Sequence, residues 1–384
     1  MSSLIRDLAA ATPEMLDIFG DAALLKAALR FEAELASAEA AEGLITTRAA
    51  GLIADACAID FDIATLAREA THAGTLAIPL VKYLRARVGE RDTDAARMVH
   101  LGATSQDVAD TALMLQAQSA AAVFRRDLGN ITSALEELAT RHASLPVLGR
   151  TLLQGAVPIT FGLRAAQWLL LIDGAAARFG RECEDALALQ FGGAAGSLDS
   201  LGPRGTAVAA RLAGVLSLAA PPAAWHARRD RIAGLGAALG IVTGSIGKIA
   251  RDVSLMAQTE LGEAHEPLEA GRGGSSAMSH KRNQTGCQIA VSAALRAPGL
   301  VATLMATLPQ EFERGLGGWQ AEGPVLAELF ALAQGASAAM TPVLKGLDVD
   351  ASAMARNLGA AGVTGATEQA AMLALHILKS RKTG

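Results

Sequence analysis

The stretch RIAGLGAALGIVTGSIGKIARDVSLMAQTELGE, residues 231–263, decides the fold class. Its apolar residues recur at three and four positions rather than at two, the period of a helix. The spacing predicts one long helix from Arg231 to Glu263. No charge falls between Ile232 and Gly247, so the first half of that helix has no solvated face and belongs inside a bundle. Gly236, Gly240 and Gly244 stand at intervals of four. Each costs about 1 kcal/mol relative to Ala in a helix interior, a cost offset where another helix presses closely into the groove they leave. A core of this kind shared between subunits is expected.

The same period runs through the rest of the chain. Leu24, Ala28, Phe31, Leu35 and Ala38 form an apolar stripe, with Lys26, Arg30 and Glu34 on the opposite, solvated face. Asp21 is placed to cap this helix and Gly43 to end it. No convincing run of alternating Val, Ile and Thr occurs, so the expected class is all-α. Breaks fall at Pro146, at Pro158, at 219–224 with Pro221 and Pro222, at 271–276 and at 315–324. They divide the chain into an N-terminal helical domain (1–98), a central long-helix domain (99–346) and a short C-terminal helical domain (347–384).

Composition removes several classes of function. The 34 Lys and Arg against 38 Asp and Glu leave a net charge of −4, and aromatics are only 3% of the 384 residues. Neither a basic nucleic-acid surface nor a base-stacking platform is expected. Cys57, Cys183 and Cys287 are odd in number and widely spaced, which supports neither a disulfide framework nor a zinc knuckle. The longest uncharged stretches run to sixteen residues broken by Gly or Pro, and the N-terminus has no basic-then-apolar leader. A cytoplasmic protein without a spanning segment is expected.

Three segments do not read as core. In His100-Leu-Gly-Ala-Thr-Ser-Gln-Asp107, ahead of a helix expected to start near Val108, the Thr104 and Ser105 hydroxyls and the free N–H groups of a helix start suit a carboxylate. The same residues also serve as an ordinary cap, and His100 alone also reads as a structural histidine. In Gly149-Arg-Thr-Leu-Leu-Gln-Gly-Ala-Val-Pro158, Thr151 and Gln154 share a face if the segment is helical; a turn with a structural Gln explains them as well. The third is Gly271-Arg-Gly-Gly-Ser-Ser-Ala-Met-Ser-His-Lys-Arg-Asn283. It lacks the spacing of a P-loop, and Gly234, Gly236 and Gly240 miss that of a dinucleotide fingerprint. A glycine-serine loop carrying Ser275 and Ser276 beside His280, Lys281, Arg282 and Asn283 suits proton transfer alpha to a carboxylate and stabilisation of the resulting enediolate. A plain linker is the competing reading.

Taken in this order, the segments resemble the three signature regions of the fumarase/aspartase superfamily. Gly274-Ser-Ser-Ala-Met-Ser-His-Lys-Arg-Asn283 is similar to that family's G-S-S-x-M-P-x-K-x-N, with Ser279 where proline is usual. HLGATSQDVADTAL (100–113), WHARRDR (225–231), KIARDVSLMAQTELGE (248–263) and ERGLGGWQAE (313–322) look most like its bacterial 3-carboxy-cis,cis-muconate cycloisomerase branch. The resemblance implies a homotetramer with a multi-helix core and active sites assembled from three subunits. It implies an isomerase that closes a small tricarboxylate, 3-carboxy-cis,cis-muconate, to 4-carboxymuconolactone in protocatechuate catabolism, with no metal or organic cofactor and no nucleic-acid or membrane partner. It implies Ser275, Lys281 and His100 as catalytic candidates, and Thr104, Ser105, Thr151, Gln154, Ser276, Asn283 and Arg314 as substrate-binding ones. The chain departs at Leu152, where superfamily lyases carry a histidine, and at Gly155, where the cycloisomerases it resembles often carry one, so Ser275 is the first candidate proton donor, with Lys281 or His100 behind it. Other readings are another lyase of the superfamily, such as adenylosuccinate lyase, or an inactive helical oligomer. Tyr83 as the sole tyrosine and the absence of a Thr-His dipeptide from the second segment, which has Thr151-Leu152, speak against the first.

Overall fold

The computed structural model describes residues 4–278 and 281–381; Ser279 and His280 of the third segment lie outside the described residues. The fold is all-α. Among the described residues seven helices come first, all short but the third: α1 (Leu4–Asp7), α2 (Pro13–Ile18), α3 (Asp21–Ala41), α4 (Thr47–Cys57), α5 (Ile63–Ala73), α6 (Ala77–Gly89) and α7 (Thr93–Ala96). Five long helices follow: α8 (Ser105–Arg141), α9 (Phe161–Ala186), α11 (Asp230–Met256), α12 (Thr285–Ala306) and α13 (Gly318–Lys345), with the shorter α10 (Gly205–Leu216) before α11. Two helices, α14 (Ala351–Ala360) and α15 (Glu368–Arg381), end the chain. Strands β1 (Pro146–Thr151) and β2 (Gln154–Thr160) form an antiparallel hairpin, and β3 (Ala264–His265) pairs with β4 (Asp348–Val349).

Helix α11 lies at the centre, packed against α9, α12 and α13, while α8 packs against α9 and α13. The helix expected to reach Glu263 stops at Met256. Its glycine stripe works as expected but along a different line. A Cβ on Gly236 would meet Leu304 at 2.2 Å, one on Gly240 would meet Val301 at 2.7 Å and one on Gly247 would meet Ala294 at 2.3 Å, whereas Gly244 faces open space. The stripe drifts from 240 to 247 because two helical turns take seven residues more nearly than eight. Pro324, expected to mark a break, lies within α13, which begins at Gly318. By length and composition α11 and α12 are apolar enough to cross a membrane; both are bundle members here.

In α3 the stripe holds Phe31, Leu35 and Ala38 in the core as expected; Asp21 is its first residue rather than its cap, and Gly43 lies just beyond its end at φ 70°. Two acids, Glu32 and Glu39, are buried on the same helix. Burial and then the neighbouring Glu32 push the Glu39 carboxyl up to about 9, and neither of its oxygens has a hydrogen-bond partner. A carboxyl that is protonated when folded and ionised when unfolded loses stability as pH rises from its unfolded value towards its folded one. Glu39→Met is therefore expected to stabilise the protein, by an increment that grows up to about 1.4 kcal/mol per pH unit between about pH 5 and 8. Denaturant unfolding of both proteins across that range measures it; a pH-independent difference would show Glu39 ionised in the fold.

Candidate active site

Helix α8 begins at Ser105, earlier than expected, and Thr104 occupies the position before its first turn. Asp107 places that turn. Its buried carboxylate accepts from the Thr104 N–H (3.0 Å), the Gly192 and Gly193 N–H groups (3.1 and 2.9 Å) and His226 Nε2 (2.7 Å). One side chain thus ties together the 100–104 turn, the 192–193 loop and the approach to α11. Arg314, in the connection between α12 and α13, reaches the same place. Its Nη1 donates to the Thr104 hydroxyl (2.8 Å) and its Nη2 to the carbonyls of Gly193 (3.1 Å) and Ala194 (2.7 Å). Arg314 forms no ion pair among the described residues, and its Nε is buried without a hydrogen-bond partner. A guanidinium facing only neutral dipoles, beside a helix N-terminus with Ser105 in its first turn, is suited to a carboxylate.

Beneath this group lies a buried ionic lattice. Arg229 donates to both oxygens of Asp110 (2.8 and 2.9 Å) and to the Glu322 carboxylate (3.0 Å from Nε), and its guanidinium lies 4.8 Å from the Trp225 ring centre. Burial opposes the Arg229 charge, but Asp110 and then Glu322 outweigh it and hold its pKa above the ordinary value. Gln106 and Gln190 also donate to Asp110, and the Thr307 hydroxyl donates to Glu322. The lattice joins α8, the approach to α11 and the start of α13, the three elements that bring Thr104 and Arg314 together. Asp107, Asp110, His226, Arg229 and Glu322 lie within the stretches that resemble the family but are not among its candidate site residues. The signal that singles them out is charge at positions facing a core.

The second segment is a hairpin. Thr151 and Gln154 are exposed and pair with each other across a two-residue turn, so the shared helical face considered for them does not exist. Leu152 and Leu153 form the turn at φ 50° and 64°, with 93% and 82% of their surface exposed. The hairpin is anchored by Arg150, which donates to both oxygens of the buried Glu263 at 2.9 and 2.7 Å.

The third segment closes on itself at its base. The Asn283 N–H donates to the Gly273 carbonyl (2.8 Å) and the Asn283 amide to Gly274 (3.2 Å). Gly273 has φ 73°, and a Cβ there would meet the Asn283 carbonyl at 2.7 Å, so only glycine fits. At the tip the Ser275 hydroxyl accepts from the N–H groups of Ala277 (3.3 Å) and Met278 (3.1 Å), with Ser276 exposed beside it. Lys281 is exposed and makes no ion pair among the described residues. Glu266 holds the loop's far end by accepting from the first N–H groups of α12, Gly286 (3.1 Å) and Cys287 (2.8 Å).

The three segments do not meet within one chain. His100, Thr104, Ser105 and Arg314 gather at the start of α8. The hairpin follows its other end, and the Arg150–Glu263 pair draws the approach to the third segment there too. With a rise of about 1.5 Å per residue, the 37 residues of α8 separate the ends by about 55 Å.

A family model described as lyase matches residues 7–299. The chain belongs to this family, the fumarase/aspartase superfamily. It is 50% identical over 341 residues, 88% of this chain and 76% of that protein, to a Bradyrhizobium diazoefficiens protein named 3-carboxy-cis,cis-muconate cycloisomerase. The crystal structure of 3-carboxy-cis,cis-muconate lactonizing enzyme from Pseudomonas putida superposes with a TM-score of 0.87 at 42% identity, over 93% of this chain and 79% of that one. A nitrosuccinate lyase of Streptomyces davaonensis is 40% identical over 370 residues, 94% of this chain and 78% of that protein.

Proposed function

We propose that the chain is a cytoplasmic 3-carboxy-cis,cis-muconate cycloisomerase that works as a homotetramer, with the division 1–98, 99–346 and 347–384 as its three domains. The observation that carries the reading is the 50% identity, over 88% of the chain, to the Bradyrhizobium protein of that name. In the reaction one substrate carboxylate oxygen adds to a conjugated double bond. A C–O bond forms, the π pair moves onto the neighbouring carboxylate as an enediolate, and carbon then takes a proton, so no atom is lost. The attacking carboxylate is ionised at neutral pH and needs no base. Leu152 and Gly155, in the places of family histidines, are therefore compatible with the addition step.

Thr104, Ser105 and Arg314 of one subunit hold one carboxylate, while Thr151 and Gln154 of a second hold another. From a third, Ser276, Lys281 and Asn283 hold the enediolate and Ser275 supplies the proton to carbon; His100 lies on the Thr104 turn. The separation of the bundle ends supports a shared site, because one chain cannot bring these groups to one substrate. The apolar surface supports the oligomer. Leu295 and Met305 on α12 and Ile241 on α11 are 70%, 41% and 46% exposed, and packing α12 against other subunits would cover them.

Loss of the conjugated diene, followed in the ultraviolet, tests the reading. Rapid loss with 3-carboxy-cis,cis-muconate is expected and none with plain cis,cis-muconate; adenylosuccinate, nitrosuccinate and fumarate, which hold no diene, are followed instead by the gain or loss of fumarate absorbance and should be left unchanged. Consumption of nitrosuccinate or adenylosuccinate in its place would assign the chain to another branch of the superfamily.

A further inference from the structure

His100 has an unusual setting. It sits at φ 64°, a left-handed conformation that a residue with a side chain rarely adopts. Its Nδ1 lies 2.6 Å from Glu32 Oε1. Glu32 is 1% exposed, and its second oxygen is buried with no hydrogen-bond partner. The imidazole is thus the only hydrogen-bond partner of this carboxylate among the described residues. Where the acid of this pair is a carboxylate, which only accepts, the hydrogen between them sits on Nδ1. The His100 side chain is 12% exposed although its Nδ1 edge faces a buried acid, which leaves Nε2 on the open side of the ring. That ring stands on the turn that carries Thr104, and Gly193, whose carbonyl accepts from Arg314, packs against the Gly102 carbonyl of the same turn.

We propose that Glu32 is a positioning residue for His100: from the buried face of α3 it holds the imidazole as an Nδ1–H donor and presents Nε2 to the substrate beside Thr104 and Arg314. A solvated acid would be mobile and would leave the ring free to turn over. A buried one, with a single partner and a backbone held in a rare conformation, sets both ring orientation and tautomer. The acid is also placed where an apolar residue would otherwise complete the α3 stripe. The proposal rests on the cycloisomerase reading for the role of Nε2, but the Glu32–His100 pair itself does not.

The test is a cycle of Glu32→Gln, His100→Ala and the double variant, assayed with 3-carboxy-cis,cis-muconate. Glu32→Gln keeps the volume and lets the amide turn its NH2 to Nδ1, which reverses the tautomer. It is expected to lower kcat about 10- to 100-fold with KM within about twofold, and to cost nothing further once His100 is Ala. Glu32→Asp keeps the charge but shortens the reach, and should lose activity in the same His100-dependent way. Nitrogen-15 NMR of the histidine rings gives a readout independent of turnover: a protonated, hydrogen-bonded Nδ1 in the parent that is lost in Glu32→Gln. Parental kcat in Glu32→Gln, a full further loss on the His100→Ala background, or an Nδ1 without a proton in the parent would each overturn the proposal. A parent inactive on the muconate but with the Nδ1 signature intact would instead remove the cycloisomerase reading and leave the pair standing.

Discussion

Ser275→Ala is expected to fold and assemble as the parent does and to lose at least about 100-fold in kcat, the usual contribution of a positioned proton donor. Arg314→Ala is expected to raise KM strongly, because it removes a guanidinium that donates to the Thr104 hydroxyl and that forms no ion pair among the described residues. The decisive result comes from mixing them. Ser275 and Arg314 belong to segments at opposite ends of the bundle, so a site that uses both takes them from different subunits. Subunits of the two variants, unfolded and reassembled together at equal concentration, then form some sites with both side chains intact. Random assembly restores about a quarter of the parental activity from two nearly inactive proteins. A mixture that stays as inactive as its components would remove the shared site. Parental kcat in Ser275→Ala alone would remove its role as donor.

Arg229→Met is expected to be the most damaging single change to stability. It leaves Asp110 and Glu322 buried without their cation, and breaking a buried ion pair in this way costs about 3–5 kcal/mol. Because the lattice ties α8 to the segments bearing Arg314, turnover should fall even where the protein stays folded. The triple change Arg229→Met, Asp110→Asn and Glu322→Gln removes the charges together and should recover most of the lost stability, as thermal unfolding can measure. If the triple variant is no more stable than Arg229→Met, loss of packing rather than the orphaned charges is the cause.

Much of this molecule is legible in its sequence because helical period is a local property. The stripe of α3, the uncharged half of α11 and the glycines at 236 and 240 each report on one helix, and each was read in the right place. Gly244 was not, because which glycine touches a neighbour depends on where α12 crosses, and no spacing within α11 states that. The hairpin escaped for a related reason. Leu152-Leu153 occupies turn positions where Asn-Gly is the usual signal, so the local pattern left a helix and a turn both open and gave no sign of the strands on either side.

The candidate site divides along the same line. Ser275, Ser276, Lys281 and Asn283, and likewise Thr104 and Ser105, are contiguous in the chain, and short motifs carry them. Asp107, His226, Arg229, Glu322 and Glu32 are not: Glu32 and His100 are 68 residues apart and Arg229 and Glu322 are 93 apart. Sequence by itself determined the helical class, the family and the residues of the three segments, because periodicity and motif are written over a few turns of chain. Only the tertiary structure decided which charges are buried in pairs, that Thr151 and Gln154 face each other on a hairpin, and that the segments stand at opposite ends of the bundle. Those facts depend on distances through space between elements far apart in the chain, and packing alone sets them.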